Sequence, residues 1–211
     1  MKLLFISLGC DKNLVDSEEM LGMLAADGHQ IVDDEDEAEV IIVNTCCFIG
    51  DAKEESVNTI LEMAEKKKAG TCKVLIVTGC MAQRYKKEIS EEIPEVDAIL
   101  GTTSYGDIIK AVKEAEAGRH FEEYKSIDFL PNISGKRMLT TGGHFAYLKI
   151  AEGCDKHCTY CIIPKLRGSY RSVPMEQLVK EAQSLAEQGV KELILVAQET
   201  TLYGKDLYGK K

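Results

Sequence analysis

Three short apolar blocks, Leu3-Leu4-Phe5-Ile6, Val40-Ile41-Ile42-Val43 and Val74-Leu75-Ile76-Val77, constrain this sequence more than any other feature. Each has the length and branched character of a buried strand, and stretches with helical apolar spacing separate them. Strands that alternate with helices pair in parallel, because a crossover helix returns the chain to the same end of the sheet. The expectation is an α/β chain whose first domain is a doubly wound parallel sheet. Its strands are expected near residues 2–7, 30–32, 40–43, 73–78 and 97–100. Its helices are expected near 15–26, 51–68, 81–92 and 104–117. The acidic run from Asp33 to Glu39 reads as a solvated loop, and Lys66-Lys67-Lys68 suits the negative end of a helix dipole.

Residues 118–143 break the alternation. Pro131, Asn132, Gly135, Gly142 and Gly143 mark a linker with a hairpin, and Asn132-Ile133-Ser134 is a formal glycosylation sequon. Beyond it come a strand at 144–151, a long loop at 153–172, a helix at 174–188 opened by Pro174, and a strand at 192–197. The expected organisation is therefore a first domain at 1–117, a linker at 118–143, and a second domain at 144–211. One β-α-β step cannot close a barrel, so the expectation is a chain truncated after the start of its second domain.

With 211 residues, 45% of them apolar, the chain can build a core without disulfide staples. No apolar run approaches the length of a membrane span, and the opening apolar segment is too short for a signal peptide. A cytoplasmic protein without membrane contact is expected. The net charge is −9. Residues 1–116 carry 12 Lys/Arg against 24 Asp/Glu, whereas 117–211 carry 14 against 11. An acidic first half repels a phosphate backbone, which argues against a nucleic-acid partner and favours a basic protein.

Eight cysteines in a reducing compartment point to metal or catalysis rather than to a disulfide scaffold. Three share one address: Cys10, Cys46 and Cys80 each follow a strand. In an open parallel sheet the strand C-termini lie along one edge, where ligands bind. Three thiolates converging there suit a soft metal or an iron–sulfur cluster; the alternative is coincidence, since buried cysteine also packs as a small hydrophobe. Cys72 precedes its strand and reads as structural, and Cys47 receives no role. The second group is local, Cys154-x3-Cys158-x2-Cys161. Three thiolates on one loop can hold three irons of a 4Fe-4S cluster and leave the fourth open. The competing reading is zinc with His157 as fourth ligand, but adjacent His157 and Cys158 are poorly aimed at one ion.

At this point the sequence resembles a known family. Cys154-x3-Cys158-Thr159-Tyr160-Cys161 is similar to the radical S-adenosylmethionine (AdoMet) signature. Ala151-Glu152-Gly153-Cys154, Ile162-Ile163-Pro164-x-x-Arg167-Gly168, Asn44-Thr45-Cys46 and Gly79-Cys80 resemble the methylthiotransferase branch. Ser7-Leu8-Gly9-Cys10-Asp11-Lys12-Asn13-Leu14-Val15-Asp16-Ser17-Glu18 and Gln198-Glu199-Thr200-Thr201-x-Tyr203-Gly204 are similar to the RimO type, which modifies a ribosomal protein.

The resemblance implies two 4Fe-4S clusters. Cys154, Cys158 and Cys161 would bind the one that ligates AdoMet and yields a 5′-deoxyadenosyl radical; Cys10, Cys46 and Cys80 would bind an auxiliary cluster that delivers sulfur. It implies Tyr160 near the adenine, with a packed aromatic as the plain alternative, and Gln198 near the AdoMet amino group, with turn formation as its alternative. The implied acceptor is the β-carbon of an aspartate in small-subunit ribosomal protein S-twelve, with a reductant protein as further partner. Two other functions stay open: a tRNA adenosine methylthiotransferase and a non-catalytic iron–sulfur or zinc module. Because relatives continue past residue 211, the chain alone is expected to be catalytically incompetent.

Overall fold

A computed structural model describes residues 1–131 and 137–209. Six parallel strands form the first sheet: β1 (Lys2–Ser7), β2 (Gln30–Ile31), β3 (Val40–Thr45), β4 (Val74–Gly79), β5 (Ala98–Leu100) and β6 (Phe121–Glu123), in the order β2-β1-β3-β4-β5-β6. β3 and β4 lie at the centre and are buried along their whole length. That burial on both faces is why they read as continuous apolar runs rather than as alternating ones. Each fully buried Val, Leu or Ile contributes roughly 1.5–3 kcal/mol.

Helices cover both faces. On one, α2 (Gly50–Lys68), α3 (Cys80–Arg84) and α4 (Lys86–Glu92) pack with Ile60, Met63, Met81 and Ile89 against Ile41, Val43, Leu75 and Val77. On the other, α1 (Asp11–Ala26) and α5 (Ile108–Glu116) bring Met20, Leu24, Ile108 and Val112 against Leu3, Val40, Ile42 and Ile76. This is the doubly wound sheet expected from the sequence, and the switch in strand order falls between β1 and β3.

The differences from expectation are local. α1 starts at Asp11 instead of residue 15, because Gly9 at φ +97° turns the chain and Cys10 takes the cap position. The helix expected over 81–92 breaks at Tyr85, whose φ of −117° is not helical. β6 lies inside the stretch read as a linker; its Phe-Glu-Glu sequence shows no strand alternation, and pairing with β5 supplies the missing stability. The Asn132-Ile133-Ser134 sequon, Gly135 and the core of the expected hairpin lie outside the described residues.

The second unit holds β7 (Phe145–Lys149), β8 (Ala151–Glu152), α6 (Ile163–Arg167), β9 (Arg171–Ser172), α7 (Met175–Glu187), β10 (Glu192–Val196) and α8 (Lys205–Tyr208). β7 and β10 pair in parallel across the α7 crossover, and β8 pairs antiparallel with β9. The loop expected over 153–172 thus contains a short helix and a short strand.

The two units are tied together around α1. Thr140 donates from its backbone N to Glu18 Oε1 at 2.7 Å, and Arg137 pairs with Glu18 at 3.0 Å and Glu181 at 2.6 Å. Thr102 Oγ1 donates to the Leu166 carbonyl at 2.7 Å. Among the described residues no helix is long and apolar enough to cross a membrane.

A cysteine-lined cavity between two domains

Two glycines bring the first three cysteine loops close. Gly79, at φ +92°, precedes Cys80; a Cβ there would lie 2.3 Å from Asn44 Oδ1 and 2.6 Å from the Thr45 carbonyl. A Cβ on Gly9 would lie 2.7 Å from Cys46 Cβ. Glycine alone combines the positive φ with that approach. Hydrogen bonds then fix the loops against one another. Asn13 Nδ2 donates to the Leu8 carbonyl at 2.8 Å and to the Thr45 carbonyl at 3.0 Å, joining the chain ahead of Cys10 to the chain ahead of Cys46. Ser56 Oγ, on α2, accepts from Cys46 N at 3.0 Å and donates to the Cys46 carbonyl at 2.8 Å. Thr45 Oγ1 accepts from Met81 N at 3.2 Å, tying in the residue after Cys80.

The second cysteine loop is anchored at its start. Gly153 packs so tightly on the 168–169 backbone that a Cβ would lie 2.0 Å from the Ser169 carbonyl, and Cys154 N donates to the Gly168 carbonyl at 3.0 Å. Lys156 pairs with Glu199, three residues past β10, and with Thr201 holds the Glu199 carboxyl near 2. Cys161 N donates to the Cys158 carbonyl at 3.0 Å, making the tight turn that gathers the last two thiols.

Both groups face one cavity. Cys10, Cys46, Cys80, Cys154, Cys158 and Cys161 all line a space of about 1180 Å³ between the domains, together with Gln198 and Arg167. Cys80 and Cys46 are buried, Cys154 and Cys161 half-buried, and Cys10 and Cys158 exposed. Burial pushes the Cys80 thiol up to about 12, against the pull of the adjacent Arg167 guanidinium. Among the described residues no three donors close around a single ion. His157, exposed at φ +47°, is not among the residues that line the cavity.

The other sequence candidates separate. Gln198 donates to Glu152 Oε1 at 3.3 Å, while its own Oε1 is buried and has no partner among the described residues. It can therefore accept from a ligand's N–H. Tyr160 is 87% exposed and is not among the lining residues. Cys72 is buried at the far end of β4, its Sγ donating to the Val74 carbonyl at 3.0 Å. Cys47 packs in the core beside the sheet, and burial raises its thiol pKa.

Beneath the cavity lies a charged network that the sequence reading did not find. Arg167, 1% exposed, donates to Glu152 Oε2 at 2.8 Å, Asp16 Oδ2 at 3.1 Å and Asn13 Oδ1 at 2.6 Å. Lys149 pairs with Asp16 and lies 3.4 Å from Glu152. Burial opposes ionisation of Glu152, but Arg167 and Lys149 outweigh it and hold the carboxyl near 2. The signal in the sequence is spacing: Asn13, Asp16 and Ser17 continue the helical stripe of Met20 and Leu24, and all five are buried.

Residues 2–101 match the uncharacterized protein family UPF0004, and residues 148–210 match the radical SAM superfamily. A relative described as ribosomal protein uS12 methylthiotransferase RimO, from Lachnoclostridium phytofermentans, is 66% identical over the whole chain. The chain thus pairs a UPF0004 region with a radical SAM region, the same pairing over which it is similar to that relative. Proteins with the same description from Clostridioides difficile and Acetivibrio thermocellus are each 54% identical, over 100% and 98% of the chain. These three matches cover 48%, 48% and 47% of the relatives, so the chain spans about half the length of the methylthiotransferases it matches.

Proposed function

We propose that this chain is the cluster-binding half of a methylthiotransferase that modifies ribosomal protein uS12. The observation that carries the reading is the shared cavity: six cysteines from two separately folded units face one space. Cys10, Cys46 and Cys80 hold an auxiliary 4Fe-4S cluster, and Cys154, Cys158 and Cys161 hold the cluster that binds AdoMet. Neither set has a fourth cysteine in place, so each leaves one iron open to an exogenous ligand. When bound, the clusters and AdoMet supply reductive radical formation and sulfur transfer to the β-carbon of an aspartate.

The residues of the chain hold these parts in register. Asn13, Ser56 and Thr45 fix the auxiliary loops. Gln198 offers its free Oε1 to the AdoMet amino group while Glu152 fixes its other end. Tyr160, exposed at the loop tip, is available to cover the adenine. The acidic first domain favours a basic ribosomal protein over tRNA, and the reading places the enzyme in the cytoplasm with a protein reductant.

The test is iron, acid-labile sulfide and zinc per chain after anaerobic reconstitution. About eight irons with eight sulfides support two clusters, whereas zinc without sulfide refutes the reading. Full-length enzyme offered uS12 or tRNA then decides the acceptor: a methylthio mass gain on an aspartate is expected, and a gain confined to tRNA overturns it. The 211-residue chain alone is expected to give no product.

A further inference from the structure

Four charged side chains, Arg167, Lys149, Asp16 and Glu152, meet beneath the cysteine cavity, and they are arranged asymmetrically. Only Arg167 lines the space shared by the six cysteines. Lys149 lines a different cavity, of about 1270 Å³, on the other side of the network. Asp16 and Glu152 line neither and stand between the two cations. The network is neutral as a whole, yet it turns a positive end toward Cys80 and Cys10, the thiols whose charge Arg167 senses.

We propose that Arg167 is a positioning residue that raises the reduction potential of the auxiliary cluster and locks that cluster to the AdoMet-binding loop. This rests on the two-cluster reading above. The locking half follows from the hydrogen bonds. Arg167 sits on α6, in the second domain, and reaches Asn13, which fixes the chain ahead of both Cys10 and Cys46. Its other contact, Glu152, lies two residues before Cys154 and also holds Gln198. One guanidinium thus spans from the first cysteine set to the second. The electrostatic half follows from charge and burial. Reduction adds one electron to the cluster, and a permanent buried cation beside it stabilises the added negative charge; N–H donors and net charge near the sulfurs are recognised determinants of cluster potential. Arginine suits the task because it stays charged and presents a planar fork of five donors, enough for both carboxylates and the cavity.

The experiment uses the 211-residue chain carrying C154A, C158A and C161A, so that only the auxiliary cluster assembles. The reduced fraction is followed by electron paramagnetic resonance in a dithionite titration. R167Q is expected to lower the reduced-to-oxidised ratio at fixed ambient potential about tenfold, equivalent to about 59 mV for one electron. D16N removes an anion behind Arg167 and is expected to shift the ratio the opposite way, while R167K keeps most of the parent value. A merely structural role predicts no such change of sign. Should R167Q fail to assemble a cluster, D16N decides alone: an upward shift supports the proposal and an unchanged potential overturns it. Cluster assembly with the parent potential in every variant overturns the inference but leaves the two-cluster reading intact. Absence of iron and sulfide from the parent triple variant overturns that reading, and the inference with it.

Discussion

Lys149 and Asp16, 133 positions apart in the chain, form an ion pair in which both side chains are buried. One comes from the last residue of β7 and the other from the middle of α1, so the pair fastens the AdoMet-binding unit to the sheet domain. Burying charges is expensive, and this cost is met only while every partner is present. Lys149→Met should destabilise the chain by about 3–5 kcal/mol, because Asp16 and Glu152 then face Arg167 alone. The double variant Lys149→Met/Asp16→Asn should recover much of that loss by removing the stranded anion. Urea midpoints of the four proteins of this cycle check the coupling. Additive losses would show that the pair contributes nothing beyond its separate side chains.

The same network makes an acid prediction. Glu152 is held near 2 in the folded chain, below an unfolded carboxyl of about 4.3. A depressed carboxyl contributes stability that is complete above the unfolded value and is lost as pH falls through the folded one. The chain should therefore lose stability progressively between pH 4.5 and about 2, and Glu152→Gln should flatten that part of the profile. Urea midpoints across the window, measured on both proteins, test it. Parallel profiles would assign the acid loss to other groups.

Gly79→Ala tests how the auxiliary loops are assembled. Its positive φ and the 2.6 Å approach of a new Cβ to the Thr45 carbonyl cannot be relieved by moving a flexible side chain. A cost of about 1–3 kcal/mol is expected from the backbone alone. Cys80 should be displaced from the cavity, so reconstituted chain should hold about four irons in place of eight. Full iron content would show that the close approach is not needed to gather the three thiols.

Much of this arrangement was legible before any coordinates. The strand blocks at 40–43 and 74–77 announce burial on both faces, and the sheet-edge rule places Cys10, Cys46 and Cys80 together although 34 to 36 positions separate neighbours in sequence. Other parts were hidden for physical reasons. β6 carries a single apolar residue, so its strand state depends on β5 rather than on its own pattern. The burial of Asp16 and Glu18 was hidden, because sequence shows a charge but not the partner that allows its burial. Arg167 and Arg137, the partners in question, lie more than a hundred positions away. Gln198 could be placed at a strand end, but its orphaned acceptor is visible only in three dimensions.

Glu19 supplies a prediction of the opposite sign. Among the described residues its Oε2 is buried without a close hydrogen-bond partner, and burial raises its carboxyl to about 7, helped by Asp16 and opposed by Lys149 and the Tyr105 hydroxyl. Here the folded state holds the proton more tightly than the unfolded chain. The contribution is therefore fully present below about 4.3, the unfolded value, and is lost as pH rises through 7. Above that point the folded chain carries a buried, poorly compensated charge. Glu19→Gln imitates the protonated form at every pH and should be more stable than the parent near pH 8 by up to about 3 kcal/mol. At pH 4 the two should be nearly equal, since the parent carboxyl is then protonated as well. Urea midpoints of the metal-free chain at both pH values settle the matter. A constant difference between the proteins would show that Glu19 keeps its charge and that its burial is relieved by solvent.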